Sequence, residues 1–227
     1  MIKKIIELID EQYRSGQQVK QAELKALQAQ INPHFLYNTL DLIKWKSIEH
    51  EVPDIESIVY ALAKFYKLSL NKGKDIVSIE DEIAHVKVYV EIQNQRFENG
   101  ISLQVDVDRK LFNYSILKII LQPIVENSIL HGILEKDSRC GTIKITGSLN
   151  NGIITFFVED DGVGMSEEKV RQLFLDGYSN QNNGYGVRNI NDRIKLHYGS
   201  QYGISFKSIL GQGTMVKITI PAVPIED

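Results

Sequence analysis

A helical hairpin followed by a two-layer α+β sandwich is the architecture this sequence predicts, and three observations carry the expectation. Apolar residues recur at helical spacing through the first 70 positions, whereas apolar and polar residues alternate in the strand manner after residue 100. Asn150-Asn151-Gly152 stands between two such alternating runs, and these residues tolerate the positive φ of a tight hairpin turn. A long helical pattern near 186–199 is flanked by strand patterns, so helices are expected over one face of a largely antiparallel sheet.

Composition limits the function classes. With 227 residues, 43% apolar and 24% charged, the chain can bury a core, and wholesale disorder is excluded. A formal charge of -3 gives no global field for wrapping nucleic acid or coating an anionic membrane, so nucleic acid is not expected as a partner. The single cysteine, Cys140, excludes an intrachain disulfide framework and a multi-cysteine zinc site. No apolar run approaches the length that crosses a bilayer.

Three regions follow in order. Residues 1–20, with Ile2, Ile5, Ile6 and Ile9 at helical spacing, read as an entry helix that Gly16 interrupts. Residues 21–75 read as a hairpin. Leu24, Leu27, Ile31, Phe35 and Leu36 stripe its first helix, His50 to Asp54 turn the chain, and Ile55, Ile58, Val59, Leu62 and Tyr66 stripe the second. Residues 76–227 form the second domain, opened by a capping box at Ser78 to Asp81 before a helix running to about Phe97. Ile101, Leu103, Val105 and Val107 alternate as a strand. Ile116 to Gly132 is expected to be helical, with Pro123 marking its first turn or a kink. Strands are then expected at 142–149, 153–158, 203–208 and 214–220.

Three separated segments suit the parts of a nucleotide. Glu126-Asn127 and His131-Gly132 share one helix, where an Asn oxygen can join triphosphate oxygens and water around Mg2+ and His131 can reach a phosphate. Asp160-Asp161-Gly162-Val163-Gly164 falls where a strand runs out. There a carboxylate can accept from the exocyclic amine of adenine, and glycines let the backbone approach the base. Gly184-Tyr185-Gly186-Val187-Arg188-Asn189 directly precedes a helix, whose N-terminal amides suit a polyphosphate. The polar, glycine-containing stretch before Gly184 has the composition of a mobile flap. Gly211-Gln212-Gly213-Thr214 adds a further turn between strands.

As an ordered set, Asn127, Asp160-x-Gly162-x-Gly164, Gly184-x-Gly186-x-x-Asn189 and Gly211-x-Gly213-Thr214 resemble the N, G1, G2 and G3 boxes of the GHKL ATP-binding fold over roughly residues 100–220. The resemblance implies ATP and Mg2+ as cofactors, Asn127 as the metal ligand and Asp160 as the adenine reader, with Gly162, Gly164, Gly184, Gly186, Asn189 and Thr214 around the nucleotide. Asp161 stands where kinases of this fold usually carry Asn, which adds a negative charge near the base or ribose.

The nucleophile is sought in the hairpin. Gln30-Ile31-Asn32-Pro33-His34-Phe35-Leu36-Tyr37-Asn38-Thr39-Leu40 sets a histidine just after a proline that is expected to bend the helix, with Asn38 one turn on to orient the ring or the phosphate. This run closely resembles the signature of LytS/YesM-type sensor histidine kinases. Glu82, Tyr89, Ile92-Gln93 and Arg96-Phe97 resemble that family's connector helix, and Leu121 to Asn127 its N box. The resemblance implies His34 as phosphoacceptor, a homodimer through a four-helix bundle, and transfer to an aspartate of a response-regulator receiver domain. It also implies the cytoplasmic portion of a bacterial membrane receptor, joined to the membrane through an N-terminal sensor region. Phe35 follows His34 where many histidine kinases place an acid, so the orienting base is unassigned and Glu126 is a candidate for polarising the metal shell or moving the proton. The alternatives are an ATPase clamp, for which Pro123 stands where the resemblance places the water-activating acid, and a nucleotide-binding scaffold without transfer.

Overall fold

The computed structural model describes residues 33–70, 74–97, 100–172 and 185–225. The expected entry helix of residues 1–20, the stripe residues Leu24, Leu27 and Ile31, and Gly184 lie outside the described residues. So does the part of the flap at 173–183. The chain divides into two compact units, 1–59 and 60–227.

In the first unit, α1 (Pro33–Glu49) leads through a short turn into α2 (Pro53–Leu70). Glu51 takes a φ of 56° there, and the Val52 N–H returns to the Ser47 carbonyl at 2.9 Å. Pro53 opens α2, where its missing N–H costs nothing, and Asp54 and Glu56 favour the positive end of the helix. Whether Pro33 bends its helix depends on residues 31 and 32, which are outside the described set.

The second unit begins within α2 and continues through β1 (Ile76–Ser78) into α3 (Ile79–Arg96). The capping box forms as expected: the Ser78 hydroxyl accepts from the Asp81 N–H. Phe65 of α2 stacks on His85 of α3 with ring centroids 4.5 Å apart, and His85 Nε2 lies 2.8 Å from the Ser69 hydroxyl. Burial holds the His85 imidazole down, at about 4. A histidine with a lowered folded value contributes stability that is present above its ordinary value near 6.5 and lost as pH falls through the folded one. His85→Gln, which keeps a hydrogen-bonding partner for Ser69 but does not titrate there, should therefore remove an acid-side loss of up to about 3 kcal/mol. Denaturant titrations between pH 7 and 4 check this, and an acid limb equally steep in the variant contradicts it.

Five strands form one sheet in the order β2-β4-β5-β7-β6, with β2 (Ile101–Val107), β4 (Gly141–Asn150), β5 (Ile153–Asp160), β6 (Gly203–Ile209) and β7 (Gly213–Pro221). The pairs from β4 to β6 are antiparallel, and β2 joins β4 in parallel. Asn151 and Gly152, at φ 49° and 76°, make the expected hairpin turn. One sheet face carries Ile143, Ile145, Ile154, Phe156, Val158, Val216, Ile218 and Ile220. Against it pack Ile83 and Val86 of α3, Ile124 and Val125 of α4 (Gln122–Asn127), and Ile190 and Ile194 of α6 (Tyr185–Tyr198). Burying each such side chain stabilises the unit by about 1.5–3 kcal/mol. A short helix, α5 (Glu167–Gln172), precedes α6.

The expected helix from Ile116 is corrected. Ser115 to Leu117 instead form β3, paired antiparallel with β1, and α4 starts at Gln122 with Pro123 in its first turn. Ser128 to Ile133 continue it as a π-helical turn. The apolar run 116–121 has no polar residue that fixes a period except Lys118, so helix and strand were equally compatible with it.

Candidate functional site

Asp160 ends β5 opposite Thr214 of β7 and is 9% exposed. Its Oδ1 accepts from the Gly162 N–H at 3.0 Å, and the Ser128 hydroxyl and Thr214 N–H also donate to the carboxylate. Burial pushes this carboxyl up; the three donors oppose the rise, and the neighbouring Asp161 charge adds to it. The outcome is a desolvated acceptor locked in one orientation, as selective reading of a base edge requires.

Gly132 and Gly162 meet backbone to backbone. A Cβ on Gly162 would collide with the Cα and carbonyl carbon of Gly132, and the Val163 N–H donates to the Gly132 carbonyl at 3.1 Å. The end of the helical segment bearing Asn127 is thereby sealed to the Asp160 loop. Gly162→Ala should force these backbones apart, cost about 1–3 kcal/mol of stability and weaken nucleotide binding. Thermal unfolding and calorimetric titration with ADP measure both, and an unaltered pair of values contradicts the close seam.

Gly164 lies at φ 66°, with the Ile209 carbonyl where a Cβ would stand. The Met165 N–H donates to the Ser208 hydroxyl at 2.8 Å, the Gly211 N–H to the Val163 carbonyl at 2.7 Å, and Ser208 Oγ lies 2.9 Å from Thr214 Oγ1. These bonds bring the Asp160 loop and the turn at 211–214 together. Ser128 and Ser208 were not singled out from the sequence, where isolated serines carry no distinctive signal. The position of Ser128 beside Asn127 was the one available hint.

The extra charge of Asp161 is occupied locally. Its Oδ1 accepts from the Thr142 N–H at 3.0 Å and lies 3.3 Å from Lys136 Nζ. Glu126 and Asn127 are half-buried at the end of α4, and Glu126 accepts from Gln122 Nε2 at 3.0 Å. His131 is exposed on the π-helical turn. Gly186 and Asn189 are exposed in the first turns of α6. Gly186 therefore belongs to the helix, not to a loop before it, because α6 starts one residue earlier.

In the first unit, His34 and Asn38 are exposed one turn apart on α1. Asn38 Nδ2 lies 3.3 Å from His34 Nδ1 and 3.5 Å from Nε2, so one amide can restrain the ring in either tautomer. The exposed apolar residues Leu42, Trp45, Ile48, Ile55 and Ile58 share these two helices.

The residues fit a magnesium nucleotide on their own chemistry. Asp160 is a buried acceptor beside glycine backbone, and Asn127 offers one neutral oxygen. Among the described residues no group of three or more His, Cys, Asp and Glu is arranged to hold a metal ion. A cation there would draw its remaining oxygens from phosphate and water, as Mg2+ commonly does. No described helix is long and apolar enough to cross a membrane.

Known proteins resemble this chain over most of its length. Residues 22–101 match the histidine kinase family, and residues 112–224 match the histidine kinase-, DNA gyrase B- and HSP90-like ATPase family. The chain is 38% identical over 221 residues to the sensor histidine kinase YesM of Bacillus subtilis, covering 97% of this chain and 37% of that protein. It is 34% identical to the sensor protein LytS of Oceanobacillus iheyensis, covering 89% and 35%, and 27% identical to the sensor histidine kinase BtsS of Escherichia coli, covering 96% and 37%. The chain thus spans little more than a third of the length of these curated relatives. Among solved structures, the catalytic domain of the histidine kinase ThkA aligns with a TM-score of 0.52 at 18% identity, covering 66% of this chain and 97% of that one, a likeness of fold.

Proposed function

The chain belongs to the LytS/YesM-type sensor histidine kinases, and on that premise we propose that it phosphorylates His34 from ATP and passes the phosphoryl group to an aspartate of a response-regulator receiver domain. The observation that carries the reading is the desolvated Asp160 carboxylate, fixed against the seam of Gly132 and Gly162 in a chain that also displays an exposed histidine beside an amide.

Bound magnesium-ATP supplies an electrophilic terminal phosphorus; the remaining tasks fall to the chain. Asp160 accepts from the adenine amine and sets the depth of the base. Asn127 lends an oxygen to the metal, and His131, Gly186 and Asn189 border the phosphates. A neutral nitrogen of His34 forms the N–P bond as the bond to the β-phosphate oxygen breaks and ADP leaves; the Asn38 amide, which donates to that same lone-pair nitrogen, orients the ring beforehand and releases it for the attack. The imidazole proton must depart, and Glu126, oriented by Gln122, is the proposed acceptor.

The exposed apolar residues of α1 and α2 support a homodimer in which a second copy covers them. Pro123 lies in the first turn of α4, so the position four residues before Asn127 offers no acid to activate water, which weighs against the ATPase-clamp alternative. The same reading puts the activity on the cytoplasmic side of a bacterial membrane receptor. Incubation with γ-labelled ATP and Mg2+ tests the proposal. Acid-labile label on the protein supports it, while release of free phosphate without protein label contradicts it.

A further inference from the structure

Segment 117–121 joins β3 to α4, and side chains distant in sequence hold its backbone. The Leu117 N–H donates to the Tyr198 hydroxyl at 3.0 Å, and Arg193 donates to the carbonyls of Lys118 at 2.9 Å and Ile119 at 3.3 Å. On the other side, the Glu82 carboxylate accepts from the N–H groups of Ile119 at 2.8 Å, Ile120 at 2.7 Å and Leu121 at 2.8 Å. Glu82 is 2% exposed. An acid so far from water is costly unless donors fill its oxygens, and these do.

Ile119 sits at φ 58°, a left-handed conformation that is strained for a β-branched side chain. Such strain costs about 1–3 kcal/mol and persists where surrounding contacts over-determine it. The conformation has a use: it turns successive N–H groups toward one carboxylate, the concavity that binds anions elsewhere. Immediately after this clasp comes α4, only six residues long, whose N-cap residue Leu121 makes no side-chain cap bond. Even with the π-helical turn that continues it to Ile133, a helical segment of this length is marginal without outside support. Glu82 accepts the N–H of the N-cap residue Leu121 and so holds the point at which α4 starts, and α4 ends in Glu126 and Asn127. Arg193 and Tyr198 both belong to α6, the helix that contains Gly186 and Asn189.

We propose that Glu82 is a positioning residue for the nucleotide site, setting through the amides of 119–121 where α4 presents Asn127, with Arg193 tying the same segment to the helix of Gly186. The inference rests on the proposed role of Asn127 as the magnesium ligand.

Glu82→Gln places an amide NH2 where an oxygen accepts N–H groups. The magnesium concentration for half-maximal labelling should rise about tenfold or more, while ADP affinity measured in chelator stays within about twofold, because Asp160 is untouched. Amide hydrogen exchange at Ile120 and Leu121 should accelerate about tenfold or more. Arg193→Gln should shift the magnesium requirement in the same direction by a smaller factor, and it keeps the test open if Glu82→Gln does not fold. An unchanged magnesium requirement overturns the proposal. So does a loss of magnesium-free ADP affinity in step with the magnesium effect, since that marks general loss of structure. If the parent protein takes up neither nucleotide nor magnesium, the functional reading itself fails, and that result is distinct from both.

Discussion

His34→Gln reduces protein labelling by γ-labelled ATP to background while ADP affinity stays within about twofold of the parent. Glutamine is a good helix former and keeps a polar side chain at the exposed position, so α1 has no reason to unwind. It has no ring nitrogen with an available lone pair, and without that nucleophile no covalent phosphoenzyme forms. Asp160, Gly162 and Thr214 belong to the other compact unit and are unaltered. Labelling carried out in parallel with calorimetric titration of ADP reads both halves of the expectation. Equal label in the variant would remove His34 as acceptor and leave the nucleotide site standing.

Asp160→Ala weakens ATP binding by about 10–100-fold, the loss expected when one hydrogen bond to a buried charged acceptor is removed. It should also lower the preference for ATP over GTP, because the carboxylate accepts from an amine that guanine does not present at that position. The fold should survive. The residue contributes a desolvated carboxyl, not a packing contact in the apolar core, and the donors it leaves, Ser128 and the Gly162 and Thr214 N–H groups, line a glycine-walled surface that water can reach once the acid is gone. Unchanged ATP affinity in a folded variant would place the base elsewhere.

Much of this arrangement was legible because local chemistry and the final fold agree. Ser78 caps α3, Asn151-Gly152 turns between β4 and β5, and the alternation of β5 runs straight to Asp160, which the sequence placed at a strand end. His34 and Asn38 needed only helical spacing to meet. Features set by distant partners were hidden. That 115–117 would be a strand depended on pairing with β1, and the path of 118–121 on Glu82, almost forty residues earlier, and on Arg193, more than seventy residues later. The parallel docking of β2 on β4 leaves no trace in alternation, since a strand reads alike in either direction. The pairing of Asp161 with Lys136 and the grip of Ser128 on Asp160 likewise arise where the chain folds back on itself.

The most direct test of the account is mass-spectrometric mapping of the modified residue after incubation with magnesium-ATP under neutral conditions that preserve phosphoramidates. One phosphoryl group is expected on the imidazole of His34, lost on acid treatment and formed more slowly in Asp160→Ala protein at ATP concentrations that just saturate the parent. Protein that binds the nucleotide yet carries its phosphate on another residue, or on none, would contradict it.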